Sequence, residues 1–300
     1  MNSPHPGAFY QPTGCDDGSR LLADVAREVI GDGRAQYVSK MSVRSCSLQT
    51  KVRAKTMNIG IYAINLDRSQ ARWNQLLSDA AELTCTIVRV PAVDGSQVPI
   101  EDWVDYDEQS FERNNGRTIL PGEYGCYRSH LKAISTFLES GDAVGIIIED
   151  DIRPSPDLAD RAQASFDALP KAEVVKLCNH RVVWFRKYAT TALGDEIGRA
   201  AHGPQGSAAC YAVTRAGAEK LIHGLRRMEY PWDVALERGW ASRTEIFTTL
   251  TNVARLERDT STIAGRAAYR KTKFPWWRRL ATYSHRIKET ARRIHYALSG

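Results

Sequence analysis

The sequence has no segment that reads as a metal finger, a secretory leader or a membrane span. Its six cysteines, Cys15, Cys46, Cys85, Cys126, Cys178 and Cys210, include no C-x-x-C pair. That spacing signals no zinc site, and six thiols scattered over 300 residues do not make a disulfide scaffold. Buried thiols in a reducing compartment are the expectation. No apolar run reaches the ~20 residues a transmembrane helix needs. The opening MNSPHPGAFYQPTGCDDG lacks the charged-then-apolar order of a secretory signal. These absences point to a cytoplasmic protein, at most peripheral to the inner face of the membrane. No internal repeat is present. The chain is 43% apolar, enough for a packed core, which excludes a fibre or global disorder.

Acids are nearly missing from the end of the chain. Beyond Tyr269, Glu289 stands alone against Arg270, Lys271, Lys273, Arg278, Arg279, Arg286, Lys288, Arg292 and Arg293. The net charge of +6 is therefore concentrated in a basic tail. The first 56 residues also lack a clear apolar period, apart from a short helix expected over Leu21 to Ile30. We read three parts: an N-terminal extension (1–56), a patterned domain (57–265) and a basic C-terminal tail (266–300).

Within the patterned domain, strand-like and helix-like segments alternate. Ile59 to Leu66, Thr84 to Val93, Ala143 to Asp151, Glu173 to Leu177 and Ala208 to Val213 read as strands. Arg68 to Leu83, Pro121 to about Leu138 and Thr214 to Leu225 read as helices. Pro121 occupies a favoured first-turn position, and Thr214 is a good N-cap. Such interleaving predicts an α/β fold with a mainly parallel sheet flanked by helices.

The sharpest local feature is Gly145-Ile146-Ile147-Ile148-Glu149-Asp150-Asp151, a buried strand that ends in three carboxylates. Open α/β sheets bind ligands at such strand ends. Adjacent carboxylates repel one another, and a hard cation such as Mn²⁺ or Mg²⁺ offsets that cost while gripping a diphosphate. The alternative is an acidic loop that simply ends a strand.

Several segments, in order, resemble glycosyltransferase family 25, which includes lipopolysaccharide and lipooligosaccharide sugar transferases. They are IYAINLDRSQAR (Ile61 to Arg72), VPAVDG (Val90 to Gly95), PGEYGCYRSH (Pro121 to His130) and IIIEDD (Ile146 to Asp151). GSAACYAVTRAGAEKL (Gly206 to Leu221) and YPWD (Tyr230 to Asp233) follow. The resemblance spans roughly residues 57–260. It implies an A-type, Rossmann-like nucleotide-sugar fold and inverting transfer, often of galactose from UDP-galactose. It explains neither the N-terminal extension nor the tail.

The resemblance places a nucleotide-sugar donor against Asn65, Leu66, Asp67, Arg68 and Arg72. Arg72 is otherwise a surface ion-pairing residue. Asp94 either contacts the nucleoside or shapes the turn before Gly95. Asp151 is the expected metal ligand with Glu149 beside it, and Asp150 is expected on ribose or sugar. Gly206 and Ser207 are placed at the donor sugar. Glu123 and His130 enter as catalytic candidates, against the alternatives of a helix cap and a structural histidine. Asp233 is the candidate general base, or else an N-cap. Trp232 offers a face for sugar stacking.

In the tail, Phe274-Pro275-Trp276-Trp277 precedes Leu280, Tyr283, Ile287, Ala291, Ile294 and Leu298 at helical spacing. This pattern suits a helix lying on an anionic membrane. Its alternative is an apolar face docked on the protein's own domain. Nucleic-acid binding is not expected, since no recognised binding fold accompanies the charge. The sequence thus points to metal-dependent transfer of a sugar to a glycan or glycolipid acceptor. A catalytically silent membrane-associated binding module and a sugar-nucleotide hydrolase are the competing readings.

Overall fold

Strand β1 (Ile59–Asn65) shows how the sheet is buried. Ile61 and Ala63 enter one apolar core, while Tyr62 and Ile64 enter another on the opposite face. Strand β3 (Val144–Glu149) divides likewise, with Ile146 and Ile148 on one side and Ile147 on the other. A sheet covered on both faces needs continuous apolar strands, as these are. The structure is a computed structural model. It describes residues 57–256 and 266–299, which belong to one compact unit. The expected extension 1–56, with its helix over Leu21 to Ile30, lies outside the described residues.

The other strands are β2 (Ile87–Pro91), β4 (Ile152–Arg153), β5 (Val174–Lys176), β6 (Val183–Thr190), β7 (Glu196–His202), β8 (Cys210–Thr214), β9 (Ile246–Thr249) and β10 (Arg255–Leu256). The helices are α1 (Gln70–Asp79), α2 (Glu108–Asn115), α3 (Pro121–Glu139), α4 (Leu158–Ala168), α5 (Arg215–Gly224), α6 (Trp232–Leu236), α7 (Gly239–Ser242), α8 (Arg266–Thr272) and α9 (Leu280–Leu298). The main sheet runs β2-β1-β3-β8-β5-β9-β7-β6, and β4 pairs with β10 separately.

The main sheet is mixed, which corrects the mainly parallel expectation. β2–β1, β1–β3 and β5–β9 pair in parallel, whereas β3–β8, β8–β5, β9–β7 and β7–β6 are antiparallel. Only β8 and β7 run against the common direction. Each is inserted between strands of the other sense, so two reversals create four antiparallel pairings.

The reversal of β8 matters for the site. Its beginning lies beside the end of β3, with Cys210 opposite Ile148 and the Glu149 N–H donating to the Ala209 carbonyl at 2.9 Å. The loop 206–209 therefore meets the acidic strand end. The chain leaving β1, β5 and β9 emerges at the same sheet edge.

Helix α3 lies under that edge. Pro121 starts it, and the Glu123 carboxylate accepts from the Leu120 N–H at 3.0 Å. Gly125 lets the loop after β2 approach: a Cβ there would lie 2.5 Å from the Val93 carbonyl oxygen. Ser129 fixes the same loop, accepting from Val93 N–H at 2.8 Å and donating to Gly125 O at 2.7 Å.

Helix α9 packs on the domain, against β7, α2 and α7. The side chains it buries against the domain are Thr282, Arg293 and Ala297, so the alternative reading of a docked apolar face is not what the structure shows.

Candidate active site

Two cavities open at the carboxyl edge of the sheet and meet at Cys126 and Glu149, which line both. The smaller lies over the ends of β1 and β2 and the start of α3. Leu66, Arg68, Arg72, Asp94, His130 and Asp150 line it. Arg68 and Asp94 form an ion pair across it. Asp94 also accepts from the Ser96 N–H at 3.1 Å, so the turn role and a pocket position coexist in one residue. Asp150 accepts from Asn65 Nδ2 at 2.7 Å and from Arg72 Nη1 at 3.2 Å. Asn65 is buried beneath the cavity. Asp67 is exposed and pairs with Arg89 at 2.8 Å, outside the lining of both cavities.

The larger cavity, of about 740 Å³, is lined by Glu149 and Asp151 from the strand end, Ser207 from the loop before β8, and Asp233 from α6. Asn179, His180, Asn252, Arg255 and Tyr269 add polar groups that sequence reasoning missed. Asn179 and His180 follow β5 and Asn252 follows β9, so their only signal was position just after a strand at this edge. Gly206 and Ser207 both have left-handed backbones, φ 69° and 62°. For Ser207 this is uncommon geometry, of the kind concentrated at functional sites. Gly206 itself faces away, its N–H donating to Glu237 at 3.0 Å.

Asp151 carries the strongest electrostatic signature. Its Oδ1 is buried with no hydrogen-bond donor among the described residues. Burial, then the neighbouring Glu149 and Asp150 carboxylates, push its pKa up to about 7. The charge of Arg72 acts against that rise without offsetting it, so the carboxylate stays under-compensated.

Asp233 stands in the first turn of α6, and the N-cap is Pro231, so the capping alternative is set aside. Burial, followed by the charge of Glu237, raises its pKa above the ordinary aspartate range. Glu123 lines the larger cavity, but its carboxylate is held by both Arg117 nitrogens, at 2.7 and 2.5 Å. It serves the helix start as well as facing the cleft. His130 is buried, with Nε2 3.2 Å from Glu149 Oε1 and Nδ1 3.3 Å from the Tyr211 hydroxyl. Trp232 stacks on the His130 ring at 5.0 Å, interplanar 7°, and is itself buried. The expected open face for sugar stacking is therefore occupied.

Cys126, His130 and Glu149 bring one ligand atom each within 4.8 Å of one another, a cluster able to hold a divalent cation. The signal was the i, i+4 spacing of Cys126 and His130 on α3, which a search for C-x-x-C pairs passes over. Burial, then the surrounding carboxylates headed by Glu149, raises the Cys126 thiol pKa well above its usual value. The thiol thus keeps its proton, whereas a metal takes the thiolate.

A family model described as glycosyltransferase family 25 (LPS biosynthesis protein) matches residues 58–236. The chain belongs to glycosyltransferase family 25. That membership supports sugar-transfer chemistry in general terms. A "Glycosyltransferase 25 family member" of Aedes aegypti is 30% identical over 100 residues, 32% of this chain. The family 25 chain spans only 16% of that relative's length. A solved glycosyltransferase involved in glycosylation of the major capsid of PBCV-1 shares 12% identity, over 56% of this chain and 66% of that one. Its TM-score of 0.30 is too low to argue from.

Among the described residues, no helix is long and apolar enough to cross a membrane.

Proposed function

We propose that this family 25 chain is a metal-dependent inverting glycosyltransferase. It would move a sugar, galactose from UDP-galactose, onto a hydroxyl of a lipopolysaccharide, lipooligosaccharide or related surface glycan. The work would be done in the cytoplasm, against the inner face of the membrane. The observation that carries the reading is Asp151, whose buried Oδ1 has no hydrogen-bond partner among the described residues and which lines the larger cleft beside Glu149, where that cleft meets the smaller cavity.

Asp151 and Glu149 would hold Mn²⁺ or Mg²⁺, because oxygen donors without their own cation suit a hard metal. When bound, the metal stabilises negative charge on the departing diphosphate. Arg68, Asp94 and Leu66 would border the nucleotide. Arg72 and Asn65 orient Asp150 toward ribose or sugar. Ser207, beside Gly206, presents the loop that approaches the donor sugar. His130 positions Glu149 from beneath, and Arg117 holds the Glu123 carboxylate in place at the wall.

Asp233 takes the proton of the acceptor hydroxyl as that oxygen attacks the anomeric carbon and the bond to the diphosphate breaks. Its raised pKa makes it a stronger base than an ordinary aspartate, which favours proton abstraction near neutral pH. Inversion follows from a single in-line displacement.

The test is transfer of label from UDP-[³H]galactose to lipopolysaccharide acceptors with Mn²⁺ or with chelator. Metal-dependent transfer, lost in Asp151→Asn, is expected. Free sugar alone would instead indicate a hydrolase, and neither product a silent binding module.

A further inference from the structure

Helix α9 is attached by the wrong face for an ordinary surface helix. Thr282, His285, Glu289, Arg293 and Tyr296 point at the domain. Thr282 Oγ1 donates to the Arg113 carbonyl at 2.8 Å, and Arg238 Nε donates to Glu289 at 2.6 Å. Arg293 Nη1 donates to the buried Glu237 at 2.9 Å, and Tyr296 Oη donates to Thr244 O at 2.7 Å. At 3.6 residues per turn, these positions fall on one side of the helix. Leu280, Tyr283, Ile287 and Leu298 fall on the opposite side.

That opposite side is turned to solvent. Ile287 is 72% exposed, Leu280 60% and Leu298 54%. Trp276 and Trp277, in the turn leading into the helix, are 63% and 59% exposed. With Tyr283, which is 38% exposed and has the Arg279 guanidinium over its ring, six large apolar side chains thus extend from the turn along the helix. A solvent-facing stripe of this length is rare on a protein that meets only water.

The charge beside the stripe identifies what meets it. Lys273 and Arg278 flank the tryptophan pair in sequence and are exposed. Arg286 and Lys288 are exposed on the two margins of the stripe. Arg293, by contrast, is consumed by the buried Glu237. The exposed cations therefore border the apolar row, and among the described residues none of these four forms a salt bridge within 4.0 Å, the charge of Arg278 reaching Glu112 only at longer range. A second protein copy would bring the same positive rim against itself. An anionic bilayer supplies the opposite charge at the rim and an apolar interior for the stripe. Tryptophan prefers the interface between them.

We propose that the outward face of α9, with Trp276 and Trp277, docks on the surface of an anionic lipid bilayer. The helix is preformed for this, because its polar face is already fixed to the domain. The inference is independent of which sugar is transferred.

The experiment uses the full chain and vesicles of phosphatidylcholine with and without phosphatidylglycerol. Co-sedimentation is expected with the anionic vesicles, with a blue shift of tryptophan fluorescence. Ile287→Glu and the double variant Trp276→Ser/Trp277→Ser should each weaken binding by about tenfold or more. Both change exposed positions, so an unchanged melting temperature should accompany the loss. Absence of wild-type binding, full binding by folded variants, or equal binding to neutral vesicles would each overturn the proposal. So would light scattering that shows a dimer dissolved by Ile287→Glu.

Discussion

Replacing Asp151 by asparagine should make the metal-free protein more stable. The Asp151 carboxyl titrates at about 7 rather than 3.8. The folded state thus binds this proton more tightly than the unfolded chain does. Native stability is undiminished below the unfolded pKa, falls as pH rises through the window from 3.8 to about 7, and stays reduced above it. A gap of roughly 3 units corresponds to about 4 kcal/mol as a ceiling. Water entering the cleft and relief shared with Glu149 and Asp150 reduce the expected gain to about 2 kcal/mol. For a domain of this size that is a rise of about 4–8 °C in melting temperature. Differential scanning fluorimetry with chelator at pH 8 measures it, and at pH 4 the difference should nearly vanish. Manganese should then raise the wild-type melting temperature but not that of Asp151→Asn. A variant less stable than wild type at pH 8, or one responding equally to manganese, would refute the reasoning.

Asp233→Asn should lower kcat by about 10²–10⁴-fold with little change in donor affinity. In the wild type, the acidic limb of the kcat profile should lie above the ordinary aspartate range, since activity is lost as pH falls through the raised pKa of Asp233. Glu237→Ala leaves Lys176 and Arg293 buried without their shared carboxylate, and urea unfolding should show a loss of about 3–5 kcal/mol. Gly125→Ala places a Cβ 2.5 Å from Val93 O. It should cost about 1–3 kcal/mol and weaken nucleotide binding, since the loop carrying Asp94 must shift.

The parts of this molecule written in local sequence were legible. The run through Ile146 to Ile148 could only be a buried strand, and its acids had to meet the sheet edge. Pro121 with Glu123, and Thr214 accepting from the Gly217 N–H at 3.2 Å, marked helix starts by local chemistry. Strand direction is different, because alternating elements do not encode it. The reversal of β8 was therefore invisible, although it carries Ser207 to Asp151. Long-range charge pairing was hidden as well. Arg293 looked like one more tail cation, yet it closes a buried network with Glu237 and Lys176. Burial of Glu237 acts to raise its pKa, but those two cations hold it below the usual range. Glu237 also accepts from the N–H groups of Gln205 and Gly206, so the docked helix and the cleft loop share one anchor. Trp232 advertised a sugar platform by composition, and only packing against His130 revealed otherwise.

The most direct test is calorimetric titration of UDP-galactose into the full chain, with manganese and with chelator. Binding at least about tenfold tighter with manganese, and no such gain in Asp151→Asn, is the predicted result. Equal affinity under both conditions would contradict the claim that the carboxylates after Ile148 hold a cation against the donor.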